Sequence, residues 1–366
     1  MSQQKEQVHF RLWNQRNRRL TPYVPGEQPR VKNLIKLNTN ENPYSPAPGV
    51  EAVLRTYDPD SLRRYPDRES TELAIALAKR LNVSTSQLFF GNGSDELLAM
   101  AFQGFFPERT ENKGVLLMPE ITYTFYPVYA RLFDIEIKQI PMRDDFTIDP
   151  APFCEPSGGV VIANPNAPTG ISLSAEDIEV IVSADPNRLV LIDEAYVDFG
   201  GDSAIYLVNK YDNVMVLHTF SKSRSLAGMR LGYAVAAEPL IEGLRRIRDS
   251  INSFTVDSLT QAVGKASIED ESYFQKSLAD LIETRDRTSQ QLKDLGFTVL
   301  PSETNFVFAK HEDFTGEDIY LHLRKHNILV RFFNTPKLNE FVRITIGLPE
   351  DMQTLVDCLS DYIDRK

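Results

Sequence analysis

The chain has 366 residues, of which 42% are hydrophobic and 25% charged, and its formal net charge at pH 7 is −11. This length exceeds the size at which a single core stops growing, so we expect two domains of an ordinary globular protein. The negative charge argues against a nucleic-acid surface, which needs clustered lysine and arginine, and no apolar run approaches the roughly 18 residues that span a membrane.

The first 45 residues show little periodicity and are rich in proline and asparagine. Their one basic cluster consists of Arg11, Arg16, Arg18 and Arg19. Such a cluster imitates a transit peptide, but Glu6 and the absence of a cleavage pattern favour an ordinary arm. We expect this arm to lie across a smaller domain or a partner chain.

A glycine-rich turn follows in the segment FFGNGSDELL, residues 89–98, where an apolar run passes into a helical pattern. The turn places Gly93, Ser94 and Asp95 at a helix N-terminus. Free backbone N–H groups and the helix dipole favour a phosphate at that end. Taken alone, the segment also fits a plain glycine turn capped by Ser94.

Two further apolar runs end in distinctive residues. After residues 115–118, the segment PEITY supplies Tyr123. Tyr123 could stack on the pyridine ring of a bound ligand, or it could belong to the core. The run GVVIANPNAPTG, residues 159–170, ends in a turn where an asparagine amide could meet the edge of a ring, although such turns also mark ordinary loops.

The segment LVLIDEAYVDF, residues 189–199, is a buried strand pattern that ends in Asp193, with Tyr196 three residues later. A buried carboxylate is costly unless a cation or good hydrogen bonds accompany it, and a protonated pyridine nitrogen would be such a cation. Tyr196 could then donate to the phenolic oxygen of the same ring. Alternatively, Asp193 caps the helix that follows.

The most informative segment is HTFSKSRSLAGMRLGY, residues 218–233, which follows another apolar run. It places Lys222 next to Ser221, with Arg230 eight residues later. A lysine among small hydroxyl residues suits an amine that a carbonyl must reach, and serines with an arginine suit a phosphate monoester. Together they indicate a Schiff base between Lys222 and pyridoxal phosphate, although a solvated lysine in a strand-end loop is the alternative.

Three successive apolar strands each end in polar residues: the first in an asparagine and proline turn, the second in Asp193, and the third shortly before Lys222. Ligands of open α/β sheets bind at the carboxyl ends of the strands, so these groups are expected in one crevice. Alternating strands and helices between about residues 88 and 237 predict an α/β domain with a mainly parallel sheet. Residues 245–295 are long, charged and helical in pattern, as expected of a connector between domains, and residues 297–308, 319–326, 329–333 and 341–346 are predicted as strand, helix, strand and strand of a smaller α+β unit.

Two minor features carry no predicted site. His322 and His326 have the spacing of a zinc pair, but no glutamate lies between them, so we interpret them as a solvated helix face and predict no metal. Cys154 and Cys358 are too few and too scattered for a disulfide or metal framework, which fits a reducing cytoplasm.

The chain resembles fold-type I, class II pyridoxal-phosphate aminotransferases, and in particular the histidinol-phosphate aminotransferase family. The segments that carry the resemblance span nearly the whole chain: LTPYVPGEQP, LNTNENPYSP, RYPD, GNGSDELL, ANPNAPTG, VLIDEAYVDF, HTFSKSRSLAGMRLGY, ETNFVFA and FVRITIG. The resemblance implies a large domain with a mainly parallel seven-stranded sheet and a smaller α+β domain. The expected boundaries are an arm over 1–45, a cofactor domain over 46–250 and a small domain over 251–366.

The resemblance also implies site residues. The catalytic residues are Lys222, Asp193 and Tyr196. Further cofactor-binding residues are Gly93, Ser94, Asp95, Tyr123, Asn166, Ser221 and Arg230, together with Tyr65 of a neighbouring subunit. The substrate-binding residues are Tyr23, which would close over the substrate from a partner chain, Asn42, Arg331 and Arg343.

One position departs from the family. The family usually has asparagine immediately before PTG, in contact with the phenolic oxygen, and Ala167 stands there in this chain. Asn166 either substitutes for it or points elsewhere.

The implied reaction converts histidinol phosphate and 2-oxoglutarate to imidazole acetol phosphate and glutamate, in histidine biosynthesis. An aromatic or other amino-acid transaminase, or a related decarboxylase such as a threonine-phosphate decarboxylase, remains the alternative. The expected partners are a small amino donor and a 2-oxo acid, in a cytoplasmic homodimer with shared active sites. A nicotinamide dehydrogenase is disfavoured because GNGSDE lacks the G-x-G-x-x-G spacing, and a non-catalytic binding module because the lysine and its acid are both present.

Overall fold

The computed structural model describes residues 12–23, 26–29, 31–111 and 114–364. Arg11 and Glu6, which entered the interpretation of the arm, lie outside these residues. Within the arm, α1 (Gln15–Arg19) begins where the side chain of Asn14 accepts a hydrogen bond from the Asn17 amide. The arm continues to the short strand β1 (Ile35–Lys36).

A seven-stranded sheet forms the centre of the molecule, in the order β2-β8-β7-β6-β5-β3-β4. Its strands are β2 (Leu88–Asn92), β3 (Leu116–Pro119), β4 (Ile137–Ile140), β5 (Gly159–Ala163), β6 (Val190–Asp193), β7 (Val214–Thr219) and β8 (Leu231–Ala236). The neighbours from β7 to β4 pair in parallel, whereas β8 runs antiparallel to β2 and β7. The predicted mainly parallel seven-stranded sheet is therefore confirmed.

Helices cover both faces of this sheet, so its central strands are buried at every position and are apolar except near their carboxyl ends. In β5, Val160 and Ile162 join one hydrophobic cluster, and Val161 and Ala163 join the cluster on the opposite face. The helices before and among the strands are α2 (Pro48–Thr56), α3 (Thr71–Leu81), α4 (Ser94–Phe105), α5 (Tyr126–Leu132) and α6 (Ala175–Ser183). No helix within the described residues is both long enough and apolar enough to cross a bilayer.

A second core lies around a four-stranded antiparallel sheet in the order β12-β13-β10-β9. Its strands are β9 (Phe297–Val299), β10 (Phe306–His311), β12 (Arg331–Phe332) and β13 (Phe341–Thr345), and it packs with α10 (Gly316–Lys325) and α11 (Pro349–Ile363). The strand β11 (Ile328–Leu329) pairs in parallel with β1 of the arm. The predicted α+β unit is confirmed, but residues 297–308 are two antiparallel strands rather than one. Pro301 lies at their connection and cannot donate to a ladder.

Residues 245–295, which have a helical pattern in the sequence, are helical with two interruptions. The chain forms α7 (Glu238–Ile251), α8 (Ser258–Glu269) and α9 (Glu271–Asp294). Asp257 begins a new helix because its side chain accepts a hydrogen bond from the Thr260 amide. Val263 and Ile268 of α8 pack in the same core as the large sheet, and the expected domain boundary near residue 250 stays a prediction.

Candidate active site

The candidate site lies where the parallel strands of the large sheet end. β5, β6 and β7 end at Ala163, Asp193 and Thr219, which lie at one edge because these strands run in the same direction. A cavity of about 260 Å³ opens at this edge. The predicted site residues that line it are Tyr23, Ser94, Asp95, Tyr123, Asp193, Tyr196, Ser221, Lys222, Arg230, Arg331 and Arg343.

Lys222 follows β7 by three residues, and its amine points into the cavity. The Nζ atom donates to the Thr39 carbonyl oxygen over 3.3 Å and lies 5.7 Å from the centre of the Tyr196 ring. The Asn42 amide donates to the carbonyl oxygens of Lys222 and Ser223 at 3.0 and 3.2 Å. The backbone of Lys222 is thus fixed. Its amine is held by the neutral Thr39 carbonyl oxygen, so it can leave that contact to react with a carbonyl compound. Asn42, predicted to bind substrate, instead supports the loop that carries the lysine.

Asp193 is the buried acid of the site. The Tyr126 hydroxyl donates to its Oδ2 over 2.8 Å, and Oδ1 has no hydrogen-bond partner among the described residues. Burial raises the pKa of Asp193 to about 6, although the Tyr126 hydrogen bond opposes the rise. A buried acceptor that has no donor is costly. A cationic N–H donor such as a protonated pyridine nitrogen would satisfy Oδ1 and favour the ionised carboxylate.

A cradle for an anion lies at the start of α4. Gly93 has φ +79°, and a Cβ there would lie 2.5 Å from Nη2 of Arg230, so glycine allows the guanidinium to cross the helix N-terminus. Arg230 contacts the Asp95 carboxylate at 3.1 Å and the Ser221 hydroxyl at 3.4 Å. Arg230 itself has φ +53°, an uncommon conformation for a residue with a side chain and one that often occurs at binding sites. The exposed N–H groups, the hydroxyl groups and the guanidinium fit a phosphate monoester.

Two tyrosines line the cavity between the acid and the cradle. The Tyr123 hydroxyl donates to the Asp95 carboxylate over 3.1 Å, and burial raises the pKa of Tyr123 far above its usual range. The Tyr196 hydroxyl accepts from the side-chain amide of Asn40 over 2.8 Å, and the side-chain oxygen Oδ1 of Asn40 accepts from the Thr345 hydroxyl over 3.0 Å. Tyr123 therefore stays a neutral hydrogen-bonding group, and the hydrogen bond from Asn40 holds the Tyr196 ring in place.

Asn40 and Tyr126, which hold Tyr196 and Asp193 in place, are not among the residues predicted from the sequence. Asn40 lies within the run TNEN, where the density of amides was the available signal. Tyr126 lies one helical turn after Tyr123, within an aromatic segment that looks like ordinary core.

Two arginines from the small sheet face the same cavity. Arg331 of β12 and Arg343 of β13 are directly opposite each other in the antiparallel pair. Arg343 donates to the Asn38 carbonyl oxygen over 3.0 Å, its Nε has no partner among the described residues, and burial lowers its pKa. Like charges placed opposite each other on a sheet destabilise it. The pair is therefore suited to a bound anion that neutralises it.

Tyr23 lies beside these arginines. Its ring stacks on Phe125, with ring centres 4.6 Å apart, and it lines the cavity of its own chain. The expected contact of Tyr23 with the site of a partner chain stays a prediction.

Two other predicted residues lie away from the cavity. Asn166 is fully buried, and its amide donates to the Ile121 carbonyl oxygen and to the Thr169 hydroxyl, both over 3.0 Å. It does not line the cavity, so it does not replace the missing asparagine, and the methyl group of Ala167 lines the wall there. Tyr65 is 82% exposed and stacks on Phe254 at the surface.

The described groups fit pyridoxal phosphate. The unpartnered Asp193 oxygen suits its pyridine nitrogen, the cradle suits its phosphate, and Lys222 suits its aldehyde. Arg331 and Arg343 form a second site in the same cavity where an anion could bind.

Comparison with known proteins gives consistent findings. The model of the family "Aminotransferase class I and II" matches residues 32–359. The chain is 50% identical over 349 residues to a histidinol-phosphate aminotransferase of Chromohalobacter salexigens, covering 95% of this chain and 98% of that protein. It is 48% identical over 359 residues to one of Acinetobacter baumannii, with coverages of 97% and 98%. Among solved structures, the histidinol-phosphate aminotransferase of Sinorhizobium meliloti in complex with pyridoxal-5'-phosphate is similar with a TM-score of 0.87, 25% identity and coverages of 98% and 99%.

Proposed function

The chain belongs to the class I and II aminotransferase family, and on that premise we propose that it transfers the amino group of histidinol phosphate to 2-oxoglutarate. The products are imidazole acetol phosphate and glutamate, and the reaction is a step of histidine biosynthesis. Relatives of this name match the chain over nearly their full lengths. The observation that carries the proposal is the cavity itself, which combines a reachable lysine, an unpartnered buried acid, a phosphate cradle and an opposed arginine pair.

The cofactor is pyridoxal phosphate, which when bound supplies an electron sink for the carbon that carries the amino group. Lys222 would hold the cofactor's aldehyde and, once displaced by the donor, would move a proton at its Nζ. Tyr196 lies beside this amine and limits where it can turn. Asn42 keeps the lysine backbone in place during that movement.

Asp193 would hold a proton on the ring nitrogen. Since Tyr126 donates to Oδ2, Oδ1 is the carboxylate oxygen that has no hydrogen-bond partner among the described residues. The ring nitrogen would therefore donate to Oδ1. Ser94, Ser221 and Arg230 would hold the phosphate at the other end, so the ring is positioned from two sides.

Arg331 and Arg343 would bind the anionic group of each substrate in turn. Histidinol phosphate has a phosphate and no carboxylate, whereas 2-oxoglutarate has carboxylates. A planar guanidinium can bind both groups through paired hydrogen bonds. Tyr23 would lie against the same group from the arm.

We further propose a homodimer in which Tyr65 reaches the phosphate of the neighbouring subunit. The support is the unusual exposure of this aromatic residue and of Phe254, on which it stacks, because exposed aromatic pairs favour a protein interface. Sedimentation of the wild type and a Tyr65→Phe variant tests the assembly. Weaker cofactor retention in the variant, in an unchanged dimer, supports the contact, and a monomeric wild type contradicts it. The cytoplasmic location stays a prediction.

The donor is identified by presenting the cofactor-loaded enzyme with histidinol phosphate, phenylalanine, tyrosine and aspartate in separate single half-reactions. The change in the cofactor's absorption gives kcat/KM for each donor without a coupling enzyme. We expect histidinol phosphate to react with by far the highest kcat/KM. Preference for an aromatic amino acid would contradict the proposed substrate and leave the transaminase chemistry standing, and release of carbon dioxide would indicate a decarboxylase.

A further inference from the structure

A cluster of nitrogen and sulfur ligands lies on the small domain, away from the catalytic cavity. His322 belongs to α10, His326 caps the C-terminus of that helix, and Cys358 belongs to α11. One potential ligand atom from each of the three lies within 4.8 Å of the others. None of these residues lines the catalytic cavity. In the sequence, the spacing of the two histidines indicates only a solvated helix face. In the folded chain, Cys358 lies beside them, which the sequence spacing does not predict.

The distance between the two partly buried ligands matches a metal site. Sγ of Cys358 lies 3.5 Å from Nε2 of His322. Bond lengths of about 2.3 Å to sulfur and about 2.1 Å to nitrogen, at a tetrahedral angle, place those atoms about 3.6 Å apart in a zinc site. The pair is thus already at the spacing that a tetrahedral ion requires.

The third ligand is held in a suitable tautomer. Nδ1 of His326 lies 2.9 Å from the His322 carbonyl oxygen, which can only accept, so Nδ1 donates and the lone pair is on Nε2. Histidines that bind metals commonly donate their other ring nitrogen in this way. His326 is exposed, so its ring can turn toward the pair at little cost.

The orientation of His322 is also fixed. Its ring stacks on Tyr362, with centres 3.9 Å apart and planes 18° apart, and it lies 4.4 Å from the His326 ring. Tyr362 follows Cys358 by four residues on α11, so the same helix supplies the sulfur ligand and the surface that orients the first imidazole. The ring therefore loses little further freedom when it binds an ion.

We propose that His322, His326 and Cys358 form a binding site for a divalent ion of the zinc class, which bridges α10 and α11. Two imidazoles and one thiolate are the ligands of zinc rather than of magnesium or calcium, which take oxygen ligands. Three protein ligands leave a fourth position of the tetrahedron for water. Because the ion joins two helices of the small domain, it stabilises that domain without taking part in amino transfer.

Cobalt(II) is the direct probe, because a tetrahedral thiolate site gives it strong absorption at the red end of the visible spectrum, where the cofactor does not absorb. The cofactor-loaded enzyme, freed of unbound cofactor, is titrated with cobalt(II), and zinc is then added to displace it. We expect one cobalt ion per chain with a tetrahedral spectrum, which zinc abolishes. Absence of this spectrum, with only the weak bands of hydrated cobalt, would overturn the proposal.

Variants identify the ligands. Cys358→Ser should remove the sulfur-dependent absorption, and His326→Asn should weaken binding at least tenfold, as the loss of a ligand does. Cys154→Ser is the matched control, since Cys154 lies near α6 with its Sγ against the Pro150 carbonyl oxygen, and it should bind as the wild type does. Unchanged cobalt absorption in Cys358→Ser would refute the site. X-ray absorption of the zinc-loaded wild type identifies the ligand atoms and does not depend on the folding of any variant. We expect one sulfur and two imidazole nitrogens around the zinc ion. A spectrum with oxygen ligands alone would contradict the assignment.

Discussion

The two halves of the candidate cavity, named for the groups that each is proposed to bind, are built in different ways. The cofactor half comes from the ends of β6 and β7 and the start of α4, where the buried Tyr126 donates to Asp193. The substrate half comes from Arg331 and Arg343 on the small sheet, together with Tyr23 of the arm. Changes in the first half should therefore alter the cofactor's chemistry with every donor, whereas changes in the second should alter donor binding and leave the cofactor's spectrum intact.

The largest effect is expected at Lys222 in the cofactor half. Lys222→Ala removes the group that we propose moves the proton, so the rate of the half-reaction with any donor should fall about 10²–10⁴-fold from that loss alone. Stopped-flow absorption of the cofactor measures this rate. Lys210→Ala is the control, because Lys210 is an exposed lysine paired with Glu179. Equal half-reaction rates in Lys222→Ala and the wild type would contradict the proposed role of Lys222, on which the comparison of the two halves depends.

Arg343→Met tests the substrate half. The variant keeps the length of the side chain but cannot pair with an anion, and losing a buried charged partner typically costs 2–5 kcal/mol, so kcat/KM for histidinol phosphate should fall about 10²-fold. The cofactor's spectrum should stay unchanged. Arg246→Met, at an exposed arginine on α7, controls for charge removal. A changed cofactor spectrum in Arg343→Met would show that the two halves are not separable.

The pKa of Asp193 gives a pH-dependent test of the cofactor half. Without cofactor, burial raises this pKa from 3.8 to about 6, so the contribution of Asp193 to stability is fully present below 3.8 and is lost as the pH rises through about 6. Each pKa unit is worth 1.36 kcal/mol, so the loss approaches about 3 kcal/mol. Urea unfolding of the cofactor-free wild type and Asp193→Asn, between about pH 4 and about pH 8, measures it.

In that series the wild type should lose stability relative to Asp193→Asn as the pH rises. The cofactor-loaded wild type should show a smaller dependence, because a positive ring nitrogen would pair with Oδ1. Parallel pH profiles for the cofactor-free wild type and variant would contradict the assignment of a buried carboxylate with a raised pKa.

The smallest effect is expected at Ala167, on the wall between the two halves. Ala167→Asn would add a donor for the cofactor's phenolic oxygen, and a hydrogen bond is worth about 0.5–1.5 kcal/mol net. The midpoint of the cofactor's visible titration should therefore move to lower pH by about one unit or less. Ala167→Val adds bulk without a donor and should not lower the midpoint. If Ala167→Asn moved the titration midpoint further than Asp193→Asn does, the contact at position 167 would matter more than the contact with Asp193, which would contradict this account.

Local patterns in the sequence predicted the ends of the strands better than the contacts between distant segments. Apolar runs that end in Asp193 and Lys222 predict parallel strands, and the geometry of a parallel sheet then brings their ends together. Long-range contacts had no such signal. Asn40 reaches Tyr196 across 156 positions, and Tyr126 reaches Asp193 across 67. The orientation of Asn166 depended on a buried amide pairing with Ile121, and the path of Tyr23 depended on how the arm packs.

The most direct test of the central claim is borohydride reduction of the cofactor-loaded enzyme, followed by digestion and peptide mapping. Reduction fixes the cofactor to the nitrogen that holds it. The expected result is one labelled peptide, with the label on Lys222, and no label in Lys222→Ala. A label on a different lysine, or none in the wild type, would contradict the account.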